Sequence, residues 1–262
     1  MNIVVCIKQV PDTTDVKIDP KTNTLIREGV QSILNPFDTY AVEEALRIKE
    51  KLGGKVTAVT MGPPQAEAVL REAVSMGVDD VVLISDPAFA GADTLATSYT
   101  LAMAVKKLGD TDLLICGKQA IDGDTAQVGP GIAVHLDLPQ IVFVKKIREI
   151  SEDKIVAERM TEQGIEVVES SLPCVITVVK DINEPRLPSL RGKMLAKKKE
   201  IPVWKADDLD VEKDKLGLQG SPTMVNQIFA PEKKKGGKIF EGEPSEVVDQ
   251  FIEMAKEFKL IQ

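Results

Sequence analysis

GKQAIDGDTAQVGPG, residues 117–131, follows the apolar run Leu113-Leu114-Ile115-Cys116 and leads into Ile132-Ala133-Val134-His135-Leu136. A buried strand thus opens into a glycine-rich loop carrying acids and hydroxyls, and the loop closes on a helix. Its only basic residue is Lys118. Such a loop can hold a phosphate or a sugar through main-chain N–H groups rather than through side-chain charge. An ordinary strand-to-helix connection, with glycines that merely permit a tight turn, fits the same pattern.

Working outward, strand-like and helix-like segments alternate on both sides of this loop. Residues 2–7 (NIVVCI), 55–61, 79–85 and 113–116 are apolar runs of the kind covered on both faces. Between them lie helical patterns at 39–52, 64–76 and 93–108, with Asp38 expected as the N-cap of the first. This order predicts parallel crossover units, hence an α/β fold with an open, mainly parallel sheet and helices on both faces. Ligands of such sheets lie outside the carboxyl ends of the strands. The candidate loops are therefore 8–13, 61–64, 85–94 and 117–131. Residues 13–29 read as a polar excursion or short hairpin. Residues 140–147 read as a fifth strand, 154–160 and 164–170 as an antiparallel hairpin turning at Glu162-Gln163-Gly164, and 173–179 as a last buried strand.

After Lys180 the composition changes. Asn183-Glu184-Pro185-Arg186-Leu187-Pro188 reads as an exit from the core, which divides the chain into a binding domain, 1–182, and an extended C-terminal arm, 183–262. The arm ends in an amphipathic helix over 244–260. A segment this long without a core of its own must lie on its own domain or on a partner.

The bulk numbers exclude several classes. A formal net charge of −8 argues against a nucleic-acid binder and against an anionic membrane surface. No apolar stretch reaches the ~20 residues of a membrane span. Cys6, Cys116 and Cys174 form no CxxC and sit in apolar runs, which suits buried thiols and a cytoplasmic protein. No His-Cys-Asp/Glu cluster has metal-ligand spacing, and no residue is assigned as catalytic. His135 is expected to pack or cap. GxGxxG, SGGxDS and GxxxxGK[ST] are all missing, so phosphoryl-transfer machinery is not expected. Asp122, Asp124, Thr125 and Gln127 cluster: the carboxylates could accept from ribose or ribityl hydroxyls, Thr125, Ala126 and Gln127 offer N–H groups at a helix start, and Gly123 leaves room beside the backbone.

Five stretches together resemble the beta subunit of the electron transfer flavoproteins: VCIKQVPDT (5–13), NPFDTYAVEEALRIKE (35–50), VTMGPPQAEAVLREAVSMGVD (59–79), CGKQAIDGDTAQVGP (116–130) and NEPRLPSLRGKMLAKKK (183–199). The resemblance covers nearly the whole chain. It implies a Rossmann-like fold of the adenine nucleotide alpha hydrolase type and a heterodimer with an alpha subunit that carries FAD. It also implies an adenine-nucleotide pocket. That pocket comprises Cys6, Asn35, Pro36, Phe37, Asp38, Met61, Gly117, Lys118, Gln119, Ala120, Ile121, Asp122, Gly123, Asp124, Thr125, Ala126, Gln127 and Val128, with Thr94 and Thr97 as further donors. Leu190 matches the apolar anchor of a recognition loop that docks on acyl-CoA dehydrogenases, and the C-terminal arm matches one that clasps the alpha subunit.

The mitochondrial type of the family holds AMP and has an acid where this chain has Gly123. The DGDTAQVGP form resembles the electron-bifurcating members, in which a second FAD replaces AMP. That likeness implies NADH as hydride donor, with electrons leaving separately to ferredoxin or flavodoxin and, through the alpha-subunit FAD, to an acyl-CoA dehydrogenase or related enzyme. A plain carrier subunit with structural AMP is the alternative. A stand-alone adenine-nucleotide sensor is the alternative from another class.

Overall fold

β1 (Asn2–Cys6) alternates its side chains between two cores, with Ile3 and Val5 on one face and Val4 and Cys6 on the other. The computed structural model that shows this describes residues 1–12, 32–226, 237 and 239–261. The hairpin expected within 13–29 and the basic run 233–235 lie outside the described residues. β2 (Gln9–Pro11) and β3 (Ser32–Leu34) pair antiparallel as a small separate ribbon.

α1 (Pro36–Leu52) starts three residues before the helix expected from Thr39 onward, and its N-cap is Asn35 rather than Asp38. Pro36 explains the difference. Its fixed φ is preorganised for the first helical turn and its missing N–H costs nothing there. Asp38 therefore sits inside the first turn, with its side chain free for another task.

The remaining units follow the expected order: β4 (Lys55–Met61), α2 (Glu67–Met76), β5 (Asp80–Ile84), α3 (Thr94–Leu108), β6 (Leu113–Gly117) and α4 (Val128–Leu136). β7 (Gln140–Ile150), β8 (Lys154–Thr161) and β9 (Gly164–Ser171) carry the antiparallel extension, with the hairpin where it was expected. β10 (Cys174–Val178) is buried throughout. α5 (Leu190–Lys198) follows the proline-rich exit, and β11 (Val203–Trp204) then adds to β5 in parallel.

The nine strands are ordered β11-β5-β4-β1-β6-β10-β7-β8-β9. From β1 the chain builds outward through β4 and β5, then returns to place β6 on the other side of β1. The strand order reverses there, so a crevice opens above the ends of β1 and β6. α1 and α2 pack on one face of the sheet, α3 and α4 on the other. No helix among the described residues is long and apolar enough to cross a membrane.

The chain divides into two compact units, Met1–Gln227 and Ile228–Gln262. The second contains α6 (Pro244–Glu257), where Phe251 meets Phe240 edge to face at a 6.4 Å centroid distance. Val248, Phe251 and Ile252 of this helix are exposed.

Candidate functional site

Cys6 and Cys116 are register partners at the ends of β1 and β6, and both are buried. Hydrogen bonding to Cys6 and burial push the Cys116 thiol well above its ordinary range. Cys116 is thus floor rather than nucleophile, with Cys6 buried beside it. Above it, the loop after β6 is held by the first turn of α1.

Asn35 is 1% exposed, and both ends of its amide are used. Nδ2 donates to the Gln119 carbonyl at 2.9 Å, and Oδ1 accepts from the Ile121 amide at 3.1 Å. The α1 N-cap therefore caps the loop, not its own helix, which receives no side-chain cap bond. Asp38 Oδ2 accepts from the Lys8 amide at 2.7 Å, and the Gly117 amide also donates to this carboxylate. One buried carboxylate so joins the chain leaving β1 to the chain leaving β6. Burial, opposed by the bonds from Asn35, Lys8 and Gly117, pushes the Asp38 carboxyl up to about 7. Glycine is required at 117. A Cβ there would lie 2.3 Å from Asp38 Oδ1 and 2.7 Å from the Phe37 carbonyl carbon.

Lys8 Nζ reaches across the crevice to both Asp122 carboxylate oxygens, at 2.7 and 2.8 Å. Its side chain is 48% exposed, so this pair contributes little to stability, ~0–1 kcal/mol. Gln119 Nε2 donates to Asp124 Oδ1. Asp124 and Ala126 both hold φ +54°, a left-handed value unusual for residues with a Cβ. The Thr125, Ala126 and Gln127 amides donate to no group among the described residues. Gln127 stands at the N-cap of α4 without a side-chain cap bond. These free N–H groups at a helix start suit an anion.

Gly123 faces open space, with no atom within 4 Å of a Cβ built on it. Residues 121–125 are exposed. At the far rim, Thr94 in the first turn of α3 donates to Gln127 Oε1 at 2.8 Å. Asp93 caps that helix through the Leu95 and Ala96 amides.

The structure thus links Asn35, Asp38, Gly117, Gln119, Ile121, Asp122, Asp124, Gln127 and Thr94 into one crevice wall. Pro36 and Phe37 belong to the α1 turn beneath it. Lys118, Ala120, Gly123, Thr125 and Ala126 lie along the loop, and Val128 begins α4. Met61 at the end of β4 and Thr97 in α3 make no hydrogen bond to the loop among the described residues. Leu190 lies elsewhere, at the start of α5.

Lys8, whose Nζ reaches Asp122, and Phe143 and Thr177, which border the stems of the loop at Lys118 and Gly129, were not among the sequence-derived site residues. Lys8 carried a signal, since it follows β1 at the sheet end where ligands bind. Phe143 carried none, because Ile141-Val142-Phe143-Val144 reads as an unbroken strand. His135 packs edge to face on Tyr99 at 5.4 Å, and burial together with Lys215 keeps its pKa below the ordinary value. Among the described residues, no group of three or more His, Cys, Asp or Glu side chains could hold a metal.

α5 presents a different surface. Gly192 and Ala196 turn inward, and a Cβ on Gly192 would meet the Ser75 carbonyl oxygen of α2 at 2.1 Å. Leu190, Met194 and Leu195 are exposed, Leu190 by 79%, beside Arg191 and Lys198. Arg186 anchors the approach to this helix. It bonds Glu43 of α1 at 2.7 Å, and burial of Glu43 is outweighed by Arg186 and Arg47, so its carboxyl stays below the usual range.

A switch-point crevice beside unengaged amides, on an open and mainly parallel sheet with helices on both faces, defines an α/β protein of the open-sheet class. Residues 22–209 match the electron transfer flavoprotein domain. The chain is 54% identical over 254 residues to the electron transfer flavoprotein subunit beta of Thermoanaerobacterium thermosaccharolyticum, covering 97% of each. It is 50% identical to the corresponding subunit of Clostridium acetobutylicum, over 98% of each. It is 49% identical to the caffeyl-CoA reductase-Etf complex subunit CarD of Acetobacterium woodii, over 100% of each. The chain belongs to the electron transfer flavoprotein family, as a beta subunit. Membership implies electron transport, flavin or nucleotide binding, and an alpha subunit as partner.

Proposed function

We propose that this beta subunit holds FAD in the β1/β6 crevice and serves flavin-based electron bifurcation in a heterodimer. The observation that carries the reading is the open space at Gly123, on a loop whose Thr125–Gln127 amides are unengaged. A dinucleotide needs more room and more N–H donors than a mononucleotide does, and an acid at this position would add bulk and repulsion beside a diphosphate. The residues therefore fit FAD. The likeness to a subunit of a caffeyl-CoA reductase-Etf complex favours the same reading.

Bound there, FAD supplies hydride acceptance from NADH and one-electron delivery to two acceptors. The protein's own residues bind and orient. Asn35 fixes the loop at Gln119 and Ile121, Asp38 ties that loop to the chain after β1, and the Asp122 and Asp124 carboxylates would accept from sugar or ribityl hydroxyls. Thr94 and Thr97 bound the α3 side of the site. The apolar side chains of α5, led by Leu190, form the docking surface for an acyl-CoA dehydrogenase or related enzyme. The exposed face of α6 is the part of the arm that meets the alpha subunit. Ferredoxin or flavodoxin is the low-potential acceptor, and the setting is cytoplasmic.

The test uses the purified heterodimer with NADH, ferredoxin and an acyl-CoA dehydrogenase with its substrate. Ferredoxin reduction is expected only when the second acceptor is present. Ferredoxin that stays oxidised in the complete mixture, with NADH unable to reduce the flavin, would leave the plain carrier with structural AMP as the function.

A further inference from the structure

Five described non-glycine residues hold left-handed φ, and only Phe143, at +59°, does so inside a strand. The cause lies in the register. Val175 and Ile176 of β10 pair with Gln140 and Ile141, but Val178 pairs with Val144, so Val142 and Phe143 both stand opposite Thr177. This is a bulge of one extra residue, a feature that re-aims a side chain and is enriched beside functional sites. A left-handed bulky residue persists only where its surroundings over-determine it.

Those surroundings touch both stems of the nucleotide loop. The Phe143 amide donates to Thr177 Oγ1 at 3.0 Å. The methyl of the same threonine lies 2.5 Å from where a Cβ on Gly129 would be, in the first turn of α4. At the other stem, the Lys118 amide donates to the Val178 carbonyl at 2.8 Å, and Lys118 Nζ sits 5.3 Å from the Phe143 ring centroid. Lys118 is the one basic residue of the loop. Lys8 is neutralised by Asp122, whereas Lys118 forms no ion pair among the described residues. A half-buried cation held over an aromatic face loses much of its freedom.

Resting on the nucleotide reading above, we propose that Phe143 is a positioning residue for the pocket. Its bulge fixes Lys118, and Lys118 supplies the charge that meets the phosphate of the bound adenine nucleotide. The chemistry recognised is the phosphate of AMP, or the AMP half of a dinucleotide, not the adenine ring.

The experiment uses the full chain with its alpha subunit, cleared of bound nucleotide and titrated with AMP and with adenosine. Phe143→Leu keeps an apolar side chain of similar length and removes the ring face. It should weaken AMP roughly five-fold while leaving adenosine within about two-fold, and flatten the salt dependence of AMP binding. Lys118→Met should show the same selective loss, and adding Phe143→Leu to it should cost little more, since the two act through one contact. Phe143→Tyr, which keeps the ring, should restore AMP binding. Equal weakening of AMP and adenosine in Phe143→Leu would mean a merely structural bulge and overturn the inference, as would full additivity of the two substitutions. A wild-type protein that binds neither ligand would instead overturn the nucleotide reading itself, and this inference with it.

Discussion

The crevice above β1 and β6 and the outer surface of α5 are two exposed regions of this molecule, and they are built in opposite ways. The crevice is polar, and buried side chains hold it: Asn35 at 1% exposure and Asp38 at 5% spend their hydrogen bonds on the chain leaving β1 and β6 rather than on solvent. The α5 surface is apolar and exposed, a shallow hollow lined by Leu190, Arg191, Met194, Leu195 and Lys198. Leu190, Met194 and Leu195 project from a helix fastened only along its Gly192–Ala196 side. Fixed donors around open space suit a small ligand that must sit in one orientation. An exposed apolar patch beside Arg191 and Lys198 suits a macromolecule met transiently. The contrast predicts that substitutions in the first region disturb fold and ligand together, and those in the second disturb only an encounter.

The largest effect is expected at Asn35. Asn35→Ala leaves the Gln119 carbonyl and the Ile121 amide without their partner. It should lower stability by about 2–3 kcal/mol, read from urea unfolding, and weaken nucleotide binding with it. Retained affinity in a destabilised protein would break the link drawn between the α1 turn and the loop.

Asp38 gives a pH-dependent version of the same test. Its folded pKa, about 7, lies above the unfolded carboxyl value of 3.8. The folded state then holds the proton more tightly. The contribution is fully present below about pH 4 and is lost as pH rises through about 7, by up to roughly 4 kcal/mol. Asp38→Asn should remove this component, so that the melting temperature varies less between pH 5 and pH 8. An unchanged slope would show that the carboxyl ionises normally.

The smallest stability effect is expected on α5. Leu190→Glu should change stability by no more than about 0.5 kcal/mol, because the side chain is largely solvated already. It should nevertheless slow electron exchange with the dehydrogenase proposed above as a partner and leave nucleotide binding untouched. A stability loss comparable to Asn35→Ala would erase the distinction between the two regions.

Much of this architecture was legible in the sequence because local signals and packing agree. The buried runs of β1, β4, β5 and β6 and the helices between them follow from apolar period and length alone. The loop at 117–131 stood out through composition. What escaped depends on contacts far apart in the chain. Asp38 has the chemistry of an N-cap, and only the fold reveals that Pro36 already starts the helix and that the carboxylate serves Lys8 and Gly117. β11 is two residues long, too short for any periodicity, and exists because β5 offers an edge. The α5 segment reads as a basic stretch, and becomes recognisable as a helix once Ser189 caps it and α2 receives Gly192. The Phe143 bulge comes from a one-residue mismatch between β7 and β10 that no local pattern encodes.

The central claim is that the crevice is shaped for a second FAD and that Gly123 makes the room. It is tested most directly by counting flavin in the co-purified heterodimer, wild type beside Gly123→Asp. The account predicts two FAD per wild-type dimer and one in the variant, with the far-ultraviolet circular dichroism unchanged, since a Cβ at 123 meets no atom within 4 Å. One FAD plus AMP in the wild type, or two FAD retained in the variant, would contradict it.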